Sequence, residues 1–76
     1  MKKGAVKQQL AIMKAIAGAR QRANLSQREL SALLHQGPTF VQRIESGDRD
    51  VTVAEFILIA RALSIEPSEL LDEAVR

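Results

Sequence analysis

Residues 25–47, LSQRELSALLHQGPTFVQRIESG, are predicted to form two short helices separated by a turn. The first four residues after Leu25, Ser26-Gln27-Arg28-Glu29, form a capping box. In this motif the Ser hydroxyl accepts from the third following N–H, and the Glu carboxylate accepts from the Ser N–H. A helix is therefore predicted to begin at Gln27, with an apolar face made of Leu30, Leu33 and Leu34.

The turn His35-Gln36-Gly37-Pro38 separates this helix from the next one. His is one of the few residues besides Gly that are enriched at positive φ, so His35 is predicted in the left-handed region. Pro38 disfavours the right-handed helical region at Gly37 and suits a first helical position, which predicts Gly37 as N-cap and Pro38 as N1. The third helix is predicted to place Val41 and Ile44 inward and to end at Ser46-Gly47.

The remaining chain predicts three further helices and no strand. An apolar stripe at three- or four-residue steps predicts a helix from Val6 to Ala23, with a left-handed cap at Asn24; the stripe comprises Ile12, Ile16, Ala19 and Ala23. A second capping box, Thr52-Val53-Ala54-Glu55, opens a fourth helix whose inner face is Phe56, Ile59, Ala60 and Leu63. After a break at Ser64, Pro67 starts a short last helix. The fold class is all-α with five helices.

Length and composition restrict the classes of function. A chain of 76 residues forms one small domain, and with no Cys and a single His it builds neither a disulfide nor a zinc site. It also lacks a Ser/His/Asp or Cys/His set and a Gly-rich phosphate loop, so we expect no enzyme, cofactor or metal. Lysines and glutamines interrupt the N-terminal apolar residues, which argues against an export signal or a membrane partner. A cytoplasmic, nucleoid-associated location is expected.

Charge is segregated along the chain. Residues 1–49 contain nine Lys/Arg and three Asp/Glu, whereas residues 50–76 contain two Lys/Arg and six Asp/Glu. A basic part of this size favours a polyanionic partner such as nucleic acid. The acidic part is expected to face away from that partner.

Three segments together resemble the lambda-repressor/Cro-type (XRE-like) helix-turn-helix family: Leu25-Ser26-Gln27-x-Glu29-Leu30-Ser31-x-x-Leu34, Val41-Gln42-Arg43-Ile44-Glu45-Ser46-Gly47, and Ile59-Ala60-Arg61-Ala62-Leu63. The resemblance extends from Ile16 to Gly47 and, after a loop, to Leu71. It implies a compact five-helix DNA-binding domain over residues 1–76, with the helix-turn-helix at 26–46. Residues 1–5 are expected to be flexible, and residues 52–76 are expected to form a dimerisation part. The resemblance also implies that the third helix enters the major groove of double-stranded operator DNA.

The resemblance and the side-chain chemistry assign candidate DNA contacts. Pro38 carries no donor, so base readout is expected from Thr39, Gln42 and Arg43, of which Arg43 can donate to guanine O6 and N7 together. Phosphate contacts are expected from Gln27 at a helix N-terminus, from Arg28, and from the segment after the third helix, namely Ser46, Gly47 and Arg49. Phe40 either packs on a neighbouring helix or reaches the groove wall.

Two charged residues occupy positions where apolar residues are expected. Arg20 lies four residues after Ile16 on the apolar stripe of helix one, and Glu45 lies four residues after Val41 on the inner side of helix three. We expect them to form a partly buried salt bridge, as the matching family positions do.

The acidic C-terminal part is expected to form a dimer interface. A short last helix does not bury by itself all the apolar surface of Leu70, Leu71 and Val75. These residues, together with the exposed side of helix four, are therefore predicted to contact a second copy. The alternative is packing of helix five against helix one.

The sequence thus favours a sequence-specific transcriptional regulator, a homodimer on a pseudo-palindromic operator, acting as a repressor with its own gene among the candidate targets. RNA polymerase is a further possible partner. The alternatives are an antitoxin-type module that binds a partner toxin, and a controller protein of a restriction–modification system.

Overall fold

The chain folds into five helices and no strand over residues 3–76, as the sequence predicts. The structure is a computed structural model that describes the backbone of residues 3–76 and the side chains of residues 6–76. Met1 and Lys2 lie outside the described residues, so flexibility of residues 1–5 stays a prediction. The helices are α1 (Lys3–Arg22), α2 (Gln27–Leu33), α3 (Phe40–Glu45), α4 (Val53–Ala62) and α5 (Pro67–Val75).

Both predicted capping boxes are confirmed. The Glu29 N–H donates to Ser26 Oγ at 3.0 Å, and the Ser26 N–H donates to Glu29 Oε1 at 2.7 Å. At α4 the corresponding distances between Thr52 and Glu55 are 3.1 and 3.0 Å. These bonds satisfy N–H groups that have no partner inside the helix, so α2 and α4 begin where the sequence places them.

Left-handed residues end three helices. Asn24 and His35 have φ values of 58°, which confirms the two predicted positions, and Ser64 has φ 59° at the predicted break. Each reverses the chain direction after one helix so that the next helix can pack back against the core.

The predicted start of α3 is wrong. The N-cap is Thr39, not Gly37, and α3 begins at Phe40. The Phe40 N–H donates to the Gly37 carbonyl at 3.1 Å and closes a turn in which Pro38 occupies the second position. The fixed φ of Pro suits that turn position as well as it suits a helix start, so the sequence did not separate the two possibilities. Thr39 makes no side-chain cap hydrogen bond.

Each helix contributes a fully buried residue to one core: Ile16, Leu30, Ile44, Ile59 and Leu70. Ala23 is exposed because α1 ends at Arg22. Leu33, predicted on the apolar face of α2, is 53% exposed. Leu30 and Ser31 are buried and Leu34 is half-buried; at about 100° per residue these three span about 100° of the helix, and Leu33 lies about 60° outside that arc on the Leu30 side.

Helix α5 packs mainly against α1 and also against α4. Leu70 and Ala74 belong to the core of this chain, and Leu70 has no exposed surface. The assignment of Leu70 to a dimer interface is therefore wrong, because its side chain is fully buried by packing within the chain. Leu71 and Val75 remain exposed. No helix within residues 3–76 is both long and apolar enough to cross a membrane.

Candidate nucleic-acid interface

A buried hydroxyl joins α2 to α3. Ser31 is fully buried, and its Oγ donates to the Gln27 carbonyl at 2.8 Å and accepts from the Val41 N–H at 3.0 Å. The second bond satisfies an N–H in the first turn of α3, which has no intrahelical partner. Sequence reasoning missed this role of Ser31, although its position between Leu30 and Leu34 on the inner face was a usable signal.

The expected ion pair between Arg20 and Glu45 is present. Arg20 Nε lies 2.8 Å from Glu45 Oε2, Arg20 Nη2 lies 3.1 Å from Glu45 Oε1, and the two side chains are only 12% and 9% exposed. Arg20 Nη1 also donates to the Leu25 carbonyl at 2.8 Å, and Gln27 Nε2 donates to Glu45 Oε1 at 2.8 Å. This network joins the end of α1, the start of α2 and the end of α3, which fixes α3 relative to α2.

The three residues predicted for base readout share one exposed face. Val41 and Ile44 are fully buried on the inner side of α3, and Thr39, Gln42 and Arg43 point away from them into solvent. Residues three and four apart are neighbours on a helix surface, so the three side chains form a continuous polar strip. Within the part of the chain whose side chains are described, Arg43 forms no ion pair.

Arg49 lies in a different environment from Arg43. Its Nη2 and Nη1 donate to the two carboxylate oxygens of Glu55 at 2.7 and 2.8 Å, and the guanidinium carbon lies 4.7 Å from the centre of the Phe40 ring. The hydrogen bonds from Arg49, followed by the Thr52 N–H, lower the pKa of Glu55 to about 2. Phe40 is half-buried and packs against the core, which favours packing on a neighbouring helix over contact with the groove wall.

The remaining predicted phosphate contacts lie near the two ends of the helix-turn-helix. Arg28 is exposed in the first turn of α2, whereas Gln27 is half-buried and bonded to Glu45. Ser46 and Gly47 are exposed directly after α3, where Gly47 has a φ of +86° that a residue with a side chain adopts only with strain.

Two separate apolar areas lie outside the polar strip. One is a groove between α1 and α5, lined by Ala11, Leu71 and Val75 among others. The other lies between α2 and α4, where Leu33 and Leu58 are 53% and 59% exposed. Neither area includes a residue of α3, so both are separate from the polar strip of Thr39, Gln42 and Arg43.

Comparison with known proteins agrees with this geometry. A family model described as Helix-turn-helix matches residues 16–70. The solved structure of an XRE-family like protein from Pseudomonas syringae pv. tomato str. DC3000 superposes with a TM-score of 0.82 at 30% sequence identity, covering 93% of this chain and 85% of that one. Comparison with curated proteins gives no match. The chain therefore belongs to the XRE-like helix-turn-helix family, whose members are DNA-binding transcriptional regulators.

Proposed function

We propose that the protein is a sequence-specific repressor that binds a pseudo-palindromic operator as a homodimer. The observation that carries this proposal is the exposed strip of Thr39, Gln42 and Arg43 on a helix whose opposite face is fully buried. Buried contacts at both ends of α3, through Ser31 and Glu45, hold that strip in a fixed orientation. A fixed orientation lets a few side chains discriminate base pairs in the major groove.

Within the strip, Arg43 has the most specific role. Its planar guanidinium presents two parallel donors to guanine, and no carboxylate within residues 6–76 competes for them. Gln42 suits adenine N6 and N7, and Thr39 suits a thymine methyl or a phosphate. Arg28, the N-terminus of α2, and the segment of Ser46 and Gly47 are proposed to contact the DNA backbone on the two sides of the groove.

Selection of binding sites from random duplex DNA tests this assignment. Wild type should enrich a motif with two half-sites, and Arg43→Ala should lose base preference at one position in each half-site. Arg61→Ala is the matched control, since Arg61 is also an exposed arginine but lies on α4, and it should select the wild-type motif. Failure of wild type to enrich any duplex contradicts the proposal.

The proposed dimer uses the exposed edge of α5 and, unlike the prediction from sequence, not the exposed side of α4, because Leu58 there lines the separate groove between α2 and α4. Leu71 and Val75, without Leu70, continue the apolar groove along α1 and are proposed to contact the same residues of a second copy about two-fold symmetry. Such a dimer would place two α3 helices about 34 Å apart, one turn of DNA. Sedimentation at tens of micromolar should give a dimer for wild type and Leu58→Asp, and a monomer for Leu71→Asp. A dimer that Leu58→Asp disrupts instead would place the interface between α2 and α4.

One observation favours a second candidate function, binding of a partner protein such as a toxin. The apolar groove of Leu33, Leu34, Leu58 and Ala62 is separate from the proposed dimer surface. If it binds a partner, protein purified from its native host should carry a stoichiometric second chain that Leu33→Asp releases without loss of DNA binding. If the purified protein contains only the homodimer, the result favours repression by operator occupancy, including occupancy of the protein's own promoter.

A further inference from the structure

The loop between α3 and α4 places one guanidinium between two helices. Arg49 contacts the ring of Phe40, the first residue of α3, and the carboxylate of Glu55, in the first turn of α4. Its Nη1 also donates to the Asp50 carbonyl at 2.9 Å, and its backbone N–H donates to the Arg43 carbonyl at 3.1 Å. Arg49 is therefore fixed at both its backbone and its side chain.

The charge of Arg49 is compensated within the chain. Both oxygens of Glu55 accept from it, so contact with a DNA phosphate would have to compete with a bidentate carboxylate already in place. Arg49 and Arg43 line the same surface cleft, together with Thr39 and Phe40. Glu55 neutralises Arg49. Of the two cations in that cleft, Arg43 is therefore the one that has no ion-pair partner among the described side chains.

Phe40 connects Arg49 to α3, because it is the first residue of the helix and its ring contacts the Arg49 guanidinium. The Thr39 hydroxyl accepts no hydrogen bond from the first turn of α3, and the side-chain acceptor that this turn has, Ser31 Oγ, comes from α2. The Phe40 ring is half-buried, with its inner part against the core and the Arg49 guanidinium 4.7 Å from its centre. Thr39 directly precedes Phe40 and Gln42 follows it by two residues, so a shift of the ring is expected to move these residues of the exposed strip.

We propose that Arg49 is a positioning residue for DNA recognition, which orients the first turn of α3 through Phe40 with Glu55 as its counter-charge, and does not neutralise a phosphate. This inference rests on the proposed function. It predicts that Arg49 governs discrimination between DNA sequences without contributing to the salt dependence of binding. Lys carries the same charge but lacks the planar fork and stacks less well on an aromatic ring, so it should not replace Arg49.

The test compares salt dependence with specificity. Binding of the selected operator and of a scrambled duplex is measured across salt concentrations for wild type, Arg49→Lys and the charge-neutral pair Arg49→Gln/Glu55→Gln. Both variants should lower the ratio of operator affinity to scrambled-duplex affinity about tenfold, an effect comparable to one mismatched base pair. Both should keep the wild-type slope of log affinity against log salt. Arg28→Gln, the control for a phosphate contact, should reduce that slope by about one per subunit and leave the ratio unchanged.

Two results would overturn the inference. The first is Arg49→Lys with wild-type specificity, because charge alone would then suffice. The second is a slope reduced by about one per subunit in the charge-neutral pair with an unchanged affinity ratio, which would identify a phosphate contact. If the pair does not fold, Arg49→Lys alone decides between the two roles. A wild type that selects no duplex would instead contradict the proposed function.

Discussion

Helices α2 and α3 form the two halves of the helix-turn-helix, yet they are held in place in different ways. Helix α2 begins with a complete capping box between Ser26 and Glu29, encoded within four consecutive residues. Helix α3 has six residues, and its own N-cap residue, Thr39, makes no side-chain cap hydrogen bond. Its first turn is held by Ser31 and by the packing of Phe40, and its last turn by the pair of Glu45 with Arg20.

This difference has a physical basis. Both helices are too short to be stable in isolation, because nucleation costs more than so few hydrogen bonds return, but only α2 carries a capping box within its own residues. Helix α3 therefore depends on contacts from other parts of the chain, and those contacts also determine which way its exposed strip faces. In this protein the helix proposed to contact bases is held in position by residues that lie outside it, Ser31 and Arg20 among them.

Removing the distant anchor of α3 should have the largest effect. Arg20→Ala leaves Glu45 buried without its partner, so we expect a loss of about 3–5 kcal/mol in the free energy of unfolding. In thermal denaturation this corresponds to a fall in Tm of about 4–8 °C per kcal/mol. The double variant Arg20→Met/Glu45→Leu removes both charges and should lose much less. An unchanged melting transition for Arg20→Ala would refute the structural role of the pair.

Breaking the contact between α2 and α3 should come next. Ser31→Ala leaves the buried Val41 N–H without an acceptor, at an expected cost of about 1–3 kcal/mol in urea unfolding. Ser46→Ala is the matched control, because the Ser46 hydroxyl is exposed, and it should change stability by less than about 0.5 kcal/mol. Equal effects of the two substitutions would argue against a specific link.

The Arg49–Glu55 pair predicts a dependence on pH. The pKa of Glu55 is about 2 in the folded chain, below its ordinary value of 4.5, so its carboxylate stabilises the fold above pH 4.5 and this contribution disappears as the pH falls towards 2. Wild type should exceed Glu55→Gln by about 1–2 kcal/mol at neutral pH, allowing for solvent screening. Denaturation across pH 2–7 should show the two stabilities converging in acid. A constant difference would contradict the pairing.

The smallest effect is expected from the local cap of α2. Ser26→Ala removes one cap hydrogen bond and should cost about 1 kcal/mol in thermal or urea unfolding. Thr52→Ala should cost a similar amount, since α4 has the same motif. Ser68→Ala, at an exposed position in α5, should stay within about 0.5 kcal/mol of wild type. A loss at Ser26 larger than at Arg20 would reverse the comparison between the two helices.

The same difference explains what the sequence could predict. The starts of α2 and α4 follow from short motifs, and the Arg20–Glu45 pair follows from two charges on apolar faces. The predicted start of α3 was wrong because Pro38 suits a turn and a helix start equally well. Arg49 was expected at the DNA backbone, and its pairing with Glu55 depends on how the α3–α4 loop folds, which no local pattern specifies.

The exposed surface was less predictable than the core. Leu70 and Leu71 are adjacent in sequence, and only the crossing of α5 over α1 determines that Leu70 is buried and Leu71 exposed. Likewise, the apolar surface between α2 and α4 arises because Leu33 turns away from the core. A helical pattern predicts which residues share a face, but it does not say which partner covers that face.

The most direct test of the central claim, that the exposed strip of α3 contacts bases, is a binding cycle between Arg43 and its proposed G·C pair. Affinities of wild type and Arg43→Ala are measured for the selected operator and for an operator with that pair changed to A·T. Wild type should lose about 5–150-fold on the base change, and Arg43→Ala should lose less than about threefold. Equal losses for the two proteins would contradict the account.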